Sequence, residues 1–157
     1  MVLPKATISE IIGLLEAIND AGGVEDAARL AADFDLELDE ILPSIDGAEL
    51  LGFVVVSDGN IELTGEAKRL LDAGIQERKK IIRDKIAGVP IIKELTDRLL
   101  RSDEKRMSRE EVLKFIQKRI SAADVEDYFK IIINWTRHAG LIGYDSDSEE
   151  IYLLSGA

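Results

Sequence analysis

The sequence predicts a mainly α-helical protein with small β-hairpins, an α+β chain built as two copies of one helix-and-hairpin plan. Three observations predict it. Apolar residues recur at helical spacing through most of the chain, the period switches to two at "FVVVSDGNIELT", and "AELLGF … IEL" returns near the C-terminus as "AGLIGY … IYL".

A first helix runs from about Ser9 to Asp20, where Ile11, Ile12, Leu15 and Ile18 share one face and "AGG" stops it. A second covers Val24 to Asp33 with Ala27, Ala28, Leu30 and Ala31 apolar. The third opens at Asp39 as N-cap. That start places Pro43 in the first turn, where a missing N–H loses no intrahelical acceptor. Ile41, Leu42, Ile45, Ala48 and Leu51 form its stripe, and Gly52 ends it as a left-handed cap. Two strands then flank Asp58-Gly59, which supplies the positive φ values of a tight turn. "LTGEAKRLLDAG" closes the unit with a further helix. Helices followed by a hairpin in this order describe a winged helix-turn-helix, so residues 1–75 are assigned to a first winged-helix domain.

Residues 76–157 are assigned to a basic linker helix plus a second winged-helix domain. The linker helix runs from Gln76 to Ala87, breaks at "GVP" and resumes to Leu100 with Ile91, Ile92, Leu95 and Leu99 apolar. "SREE", Ser108 to Glu111, is a capping box that opens a helix through Ile120. A last helix begins at Ser121 and carries Val125, Phe129, Ile132, Ile133 and the core residue Trp135 to Ala139. In both copies a helix ends in Gly, an aromatic opens a strand, an acidic turn follows, and the second strand begins with Ile. The expected architecture is a tandem winged helix-turn-helix.

Composition narrows the functions. With no cysteine among 157 residues there is no disulfide, thiolate nucleophile or cysteine-ligated metal, and the single His138 cannot form a histidine cluster. "DSDSEE", Asp145 to Glu150, lacks the central Gly and final spaced Glu of an EF-hand loop and is read as an acidic wing tip. No Walker-type "GxxxxGK[ST]" occurs, so neither a catalytic residue nor a cofactor or metal ligand is assigned. The longest apolar runs fall short of the roughly 18 to 20 residues of a membrane span, and nothing marks the N-terminus for export. A cytoplasmic location is expected. Abundant Ile with scarce Asn, Gln, Cys and Met hints at a thermophilic host.

The net charge of −11 is unevenly distributed. Residues 1–76 hold 16 acids against 4 bases, residues 77–119 hold 8 against 14, and residues 120–157 hold 7 against 2. Duplex binding draws on Lys and Arg that neutralise phosphates, whereas the third helix and both hairpin turns are acidic, so nucleic acid is not the expected partner. The basic stretch "ERKKIIRDKIAGVPIIKEL" is the best interaction surface. Lys79, Lys80, Arg83 and Lys85 either meet an acidic partner or pair with the acidic first half of the chain.

"GLLEAINDAGGVEDAARLA", "ELDEILPSIDGAELLGF", "GNIELTGEAKRLLDAGIQERKKIIRDKIAGVPIIKEL" and "INWTRHAGLIGYD" together resemble the C-terminal AAA-associated domain. That domain follows the ATP-binding cassette in ATPase subunits of nitrate/sulfonate/taurine-type ABC transporters. The resemblance spans about Gly13 to Leu153. The family's Trp is followed by Gly-Arg-Tyr-Ala. Here Trp135, Arg137 and Ala139 match while Thr136 and His138 depart, which weakens any role tied to the missing Gly and Tyr. The resemblance implies a non-catalytic regulatory or protein-interaction module, either separately encoded or a piece of a larger subunit. Its expected partner is an ABC-type ATPase domain or transporter subunit, with a second copy of the chain as a further candidate. That partner would place it at the membrane periphery through a transporter complex. Arg137 joins the four basic residues as a candidate contact. The competing expectation is a winged-helix transcriptional regulator that binds DNA through residues 78–85.

Overall fold

The computed structural model describes residues 3–120 and 124–154. The mainly α architecture with small antiparallel sheets is what it contains, and the chain divides into two compact units, Pro4–Ile81 and the residues from Ile82 onward.

In the first unit α1 (Ile8–Asp20) is opened by a capping box in which Thr7 Oγ1 accepts from the Glu10 N–H and the Thr7 N–H donates to the Glu10 carboxylate. Gly22 and Gly23, with φ of 99° and 97°, then reverse the chain. Residues Val24–Asp26 consequently form a strand, β1, where the sequence predicts the start of a helix; α2 is only Ala27–Asp33. Pairing explains the difference. Val24, Glu25 and Asp26 lie opposite Glu62, Ile61 and Asn60, and Asp26 then accepts the Arg29 N–H as N-cap of α2.

Helix α3 (Leu38–Leu50) also starts earlier than the sequence predicts. Its N-cap is Glu37, whose N–H donates to the Glu40 carboxylate at 2.9 Å. Pro43 lies inside the helix and removes a bond to the Asp39 carbonyl, a bond that an Asp39 N-cap would also have accepted, so the expectation that it loses no acceptor does not hold. Ile41, Ile45, Ala48 and Leu51 are buried as expected, but Leu42 faces outward. Strands β2 (Val54–Ser57) and β3 (Asn60–Leu63) join through Asp58-Gly59, with φ of 50° and 81°, the two-residue hairpin turn the sequence predicts. The sheet order is β1-β3-β2. It packs with α1, α2, α3 and α4 (Gly65–Asp72) over a core that includes Leu15, Ile18, Leu30, Phe53, Ile61 and Leu70. Each such side chain contributes about 1.5–3 kcal/mol through the apolar surface it removes from water.

Helix α5 (Ile75–Ala87) contains the division between the units. It ends at Gly88, and Val89 and Pro90 open α6 (Pro90–Arg101) with proline at its first turn, as "GVP" predicts. Residues Arg106–Ser108 form a strand, β4, that the sequence reading omits. The predicted capping box follows it: Ser108 accepts the Glu111 N–H at 3.1 Å and opens α7 (Arg109–Arg119). The predicted start of the last helix at Ser121 lies outside the described residues, and α8 is Val125–His138. Strands β5 (Ile142–Asp145) and β6 (Glu150–Leu153) complete a second sheet, β4-β6-β5. Phe129, Ile132, Trp135, Phe115 and Ile151 are among its unit's buried residues.

The two units repeat one topology, but not in the alignment the motifs imply. Leu51, Gly52 and Phe53 close α3 with Phe53 N–H bonded to the Ala48 carbonyl; Ala139, Gly140 and Leu141 close α8 with Leu141 N–H bonded to the Thr136 carbonyl. Gly52 and Gly140 have φ of 78° and 71°. The counterpart of Gly52 is therefore Gly140, not Gly143. Gly143 is a strand residue opposite Tyr152, where a Cβ would overlap the tyrosine ring.

Candidate interaction surfaces

Helix α5 arises from a charged sequence with three buried apolar positions, Ile81, Ile82 and Ile86. A helix advances about 100° per residue, so Lys79, Lys80 and Arg83 fall within roughly one 100° sector while Lys85 lies on another side. Lys79 and Lys80 are exposed, and Arg83 and Lys85 are half-buried. The structure thus groups three of these four bases and separates the fourth. Arg78 does local work: its Nε and one Nη donate to the Leu70 and Leu71 carbonyls at 3.3 Å and so cap the end of α4.

Arg137 stands on a different element. Spacing of three, four, seven and eight residues puts Lys130, Ile133, Asn134, Arg137 and His138 on one face of α8, around a shallow recess of about 470 Å³. His138 is the final residue of the helix, and partial desolvation holds its imidazole below the ordinary 6.5. Thr136, where the family pattern has Gly, is fully buried, and its hydroxyl donates to the Ile132 carbonyl at 2.7 Å. The departure is accommodated within the helix, with no polar atom left unpaired.

The acidic elements are exposed. Asp39, Asp46 and Glu49 lie on the outer side of α3, and Asp58 and Glu62 on the first hairpin. In the second hairpin the N–H groups of Ser148 and Asp147 donate to Asp145 and hold its carboxyl below 3.8. Asp145 is thereby used as a turn former, and no group of three or more metal-ligating side chains capable of holding an ion exists among the described residues. Also among them, no helix is long and apolar enough to cross a membrane.

One surface escapes the reading of the sequence. Alternating acids and hydrophobes in "DFDLELD", Asp33 to Asp39, were a visible signal of it, and all seven residues are exposed. Beside them Gly13, Leu14, Phe34, Leu36 and Ile41 line a cavity of about 320 Å³ whose lining is predominantly apolar.

The family model described as the C-terminal AAA-associated domain matches residues 28–145, three quarters of the chain. This span lies within the one outlined by the quoted motifs. Searches of curated proteins and of solved structures gave no match.

Proposed function

The chain belongs to the C-terminal AAA-associated domain family, an accessory and not a catalytic family, and from that membership we propose a regulatory protein-interaction module for an ATP-binding subunit of an ABC transporter. The family match is the observation that carries the reading. The nitrate/sulfonate/taurine class of transporter is the context proposed, on the motifs quoted above. In this reading each unit is a winged helix, because each presents helix, strand, two helices and a hairpin in that order. The protein works in the cytoplasm and reaches the membrane periphery only through its partner.

Lys79, Lys80 and Arg83 form the proposed contact with that subunit, and Lys85, on another side of α5, and Arg137, on α8, are separate candidate contacts. Their placement fits a partner surface rich in carboxylates. The exposed acids of α3 and of both hairpins oppose the phosphate backbone, so the DNA-regulator alternative gains no support from these elements.

The test is calorimetric titration of the chain into a purified ATP-binding subunit of the nitrate/sulfonate/taurine class. Saturable binding is expected, with the Lys79→Glu, Lys80→Glu double variant weakened about tenfold or more, which corresponds to about 1.4 kcal/mol. Absence of binding by the unaltered chain would refute the reading.

A further inference from the structure

The groove between α1 and the α2–α3 connection combines three features that the fold itself does not require. Large apolar side chains that line it are left exposed: Phe34 at 42% and Leu36 at 38% of their full areas. Such residues scattered singly are ordinary, but two of them together at the mouth of an apolar cavity mark a contact surface.

Acids interleave with them. Asp33, Asp35, Glu37, Asp39 and Glu40 are all exposed, and none forms an ion pair among the described residues. Glu37, Asp39 and Glu40 favour the start of α3, where carboxylates suit the helix dipole. Asp33 and Asp35 do the opposite. They stand at the C-terminal end of α2, where the helix's own carbonyls repel them, and Asp35 also adopts φ of 56°. Their sign is unfavourable to the helix they terminate.

Gly13, inside α1, also lines the groove, and a Cβ there would meet no atom within 4 Å. Glycine weakens a helix interior relative to alanine, so neither close packing nor backbone conformation accounts for it. What its missing side chain leaves is open space.

We propose that this groove receives the apolar face of a basic amphipathic helix from a partner protein. Leu14, Phe34, Leu36 and Ile41 would cover two or three apolar side chains of that helix. Its flanking Lys and Arg would meet Asp33, Asp35, Glu37 and Asp39. The choice of a basic occupant follows from charge: the 16 acids and 4 bases of residues 1–76 would repel an acidic one. The inference concerns a surface distinct from the basic sector of α5 and does not depend on the identity of the ATPase.

The experiment uses the whole chain and a fluorescent peptide of about 18 residues, five turns of helix, with Leu on one face and Lys on the other. Anisotropy titrations compare it with a scrambled peptide of equal composition and with a version carrying Glu for Lys. The Leu/Lys peptide should bind at least about tenfold more tightly than either control. Gly13→Leu should weaken it by about tenfold or more while melting no lower than the unaltered chain, because the new side chain fills open space. The double change Asp33→Asn, Asp35→Asn should weaken it severalfold at about 50 mM salt and much less at about 500 mM. Binding unchanged by Gly13→Leu, or equal for the scrambled or Glu peptides, would overturn the proposal. So would sedimentation showing a dimer that Gly13→Leu dissolves, which would give the groove to a second copy of the chain.

Discussion

Two glycines in the second unit separate conformational from steric demand. Gly140 has φ of 71° with open space where a Cβ would go, whereas Gly143 faces the Tyr152 ring. Gly140→Ala is therefore expected to cost about 1 kcal/mol through backbone strain alone. Gly143→Ala must displace Tyr152 from beneath the Arg106 guanidinium, now 5.1 Å from its centroid, at about 1–3 kcal/mol from overpacking. Urea unfolding gives both energies, and a shift in tyrosine fluorescence should accompany only the second. The sequence shows both glycines but cannot distinguish their duties, because the distinction depends on which residue lies across the sheet. His138 offers a test at the same scale. Its folded imidazole titrates below the ordinary 6.5, so the unfolded chain binds that proton more tightly. The stability it contributes is present above pH 6.5 and is lost as pH falls below it. NMR titration should place its pKa under 6.5, and a His138→Gln variant should lose less stability on acidification than the unaltered chain.

Among the elements, those set by local chemistry were legible and those set by pairing were not. The Ser108–Glu111 capping box, the Asp58-Gly59 turn and the break at Val89-Pro90 depend on residues within a few positions, and each is found where the pattern puts it. Strands β1 and β4, of three residues each, are too short to show a period; they exist because β3 and β6 offer them a free edge. The start of α3 was misplaced because Glu37 is a rare N-cap, made effective by its bond to Glu40. With either start, Pro43 costs the Asp39 carbonyl its intrahelical bond, because an N-cap carbonyl also accepts one. Pro43→Ala is therefore expected to stabilise the chain by about 1–3 kcal/mol. A thermal melt checks it; a loss of stability would show that Pro43 serves the fold through its ring packing.

For the whole molecule, charge and family point the same way. An acidic first unit and a basic stretch near α5 belong to a chain of an accessory domain family, which is the basis for proposing that it works by contact. Of the candidate residues, the spacing of Lys79, Lys80 and Arg83 on one helix was readable from the sequence, and the separation of Lys85 follows from helical geometry. The groove at Phe34 and Leu36 was not, because part of its lining, Gly13 and Leu14, comes from another helix. Repetition of one topology gives the chain two similar scaffolds whose surfaces differ in charge, apolar and acidic in the first, with Lys130 and Arg137 on α8 in the second. An accessory module should show its function in the rate of the enzyme it accompanies. The most direct measurement is steady-state ATP hydrolysis by the ATP-binding subunit of a nitrate/sulfonate/taurine-type transporter, with and without a saturating amount of this chain. The account expects the rate to change by about twofold or more, corresponding to about 0.4 kcal/mol in the barrier, and the change to be lost with Lys79→Glu, Lys80→Glu. An identical rate in the demonstrated complex would contradict it.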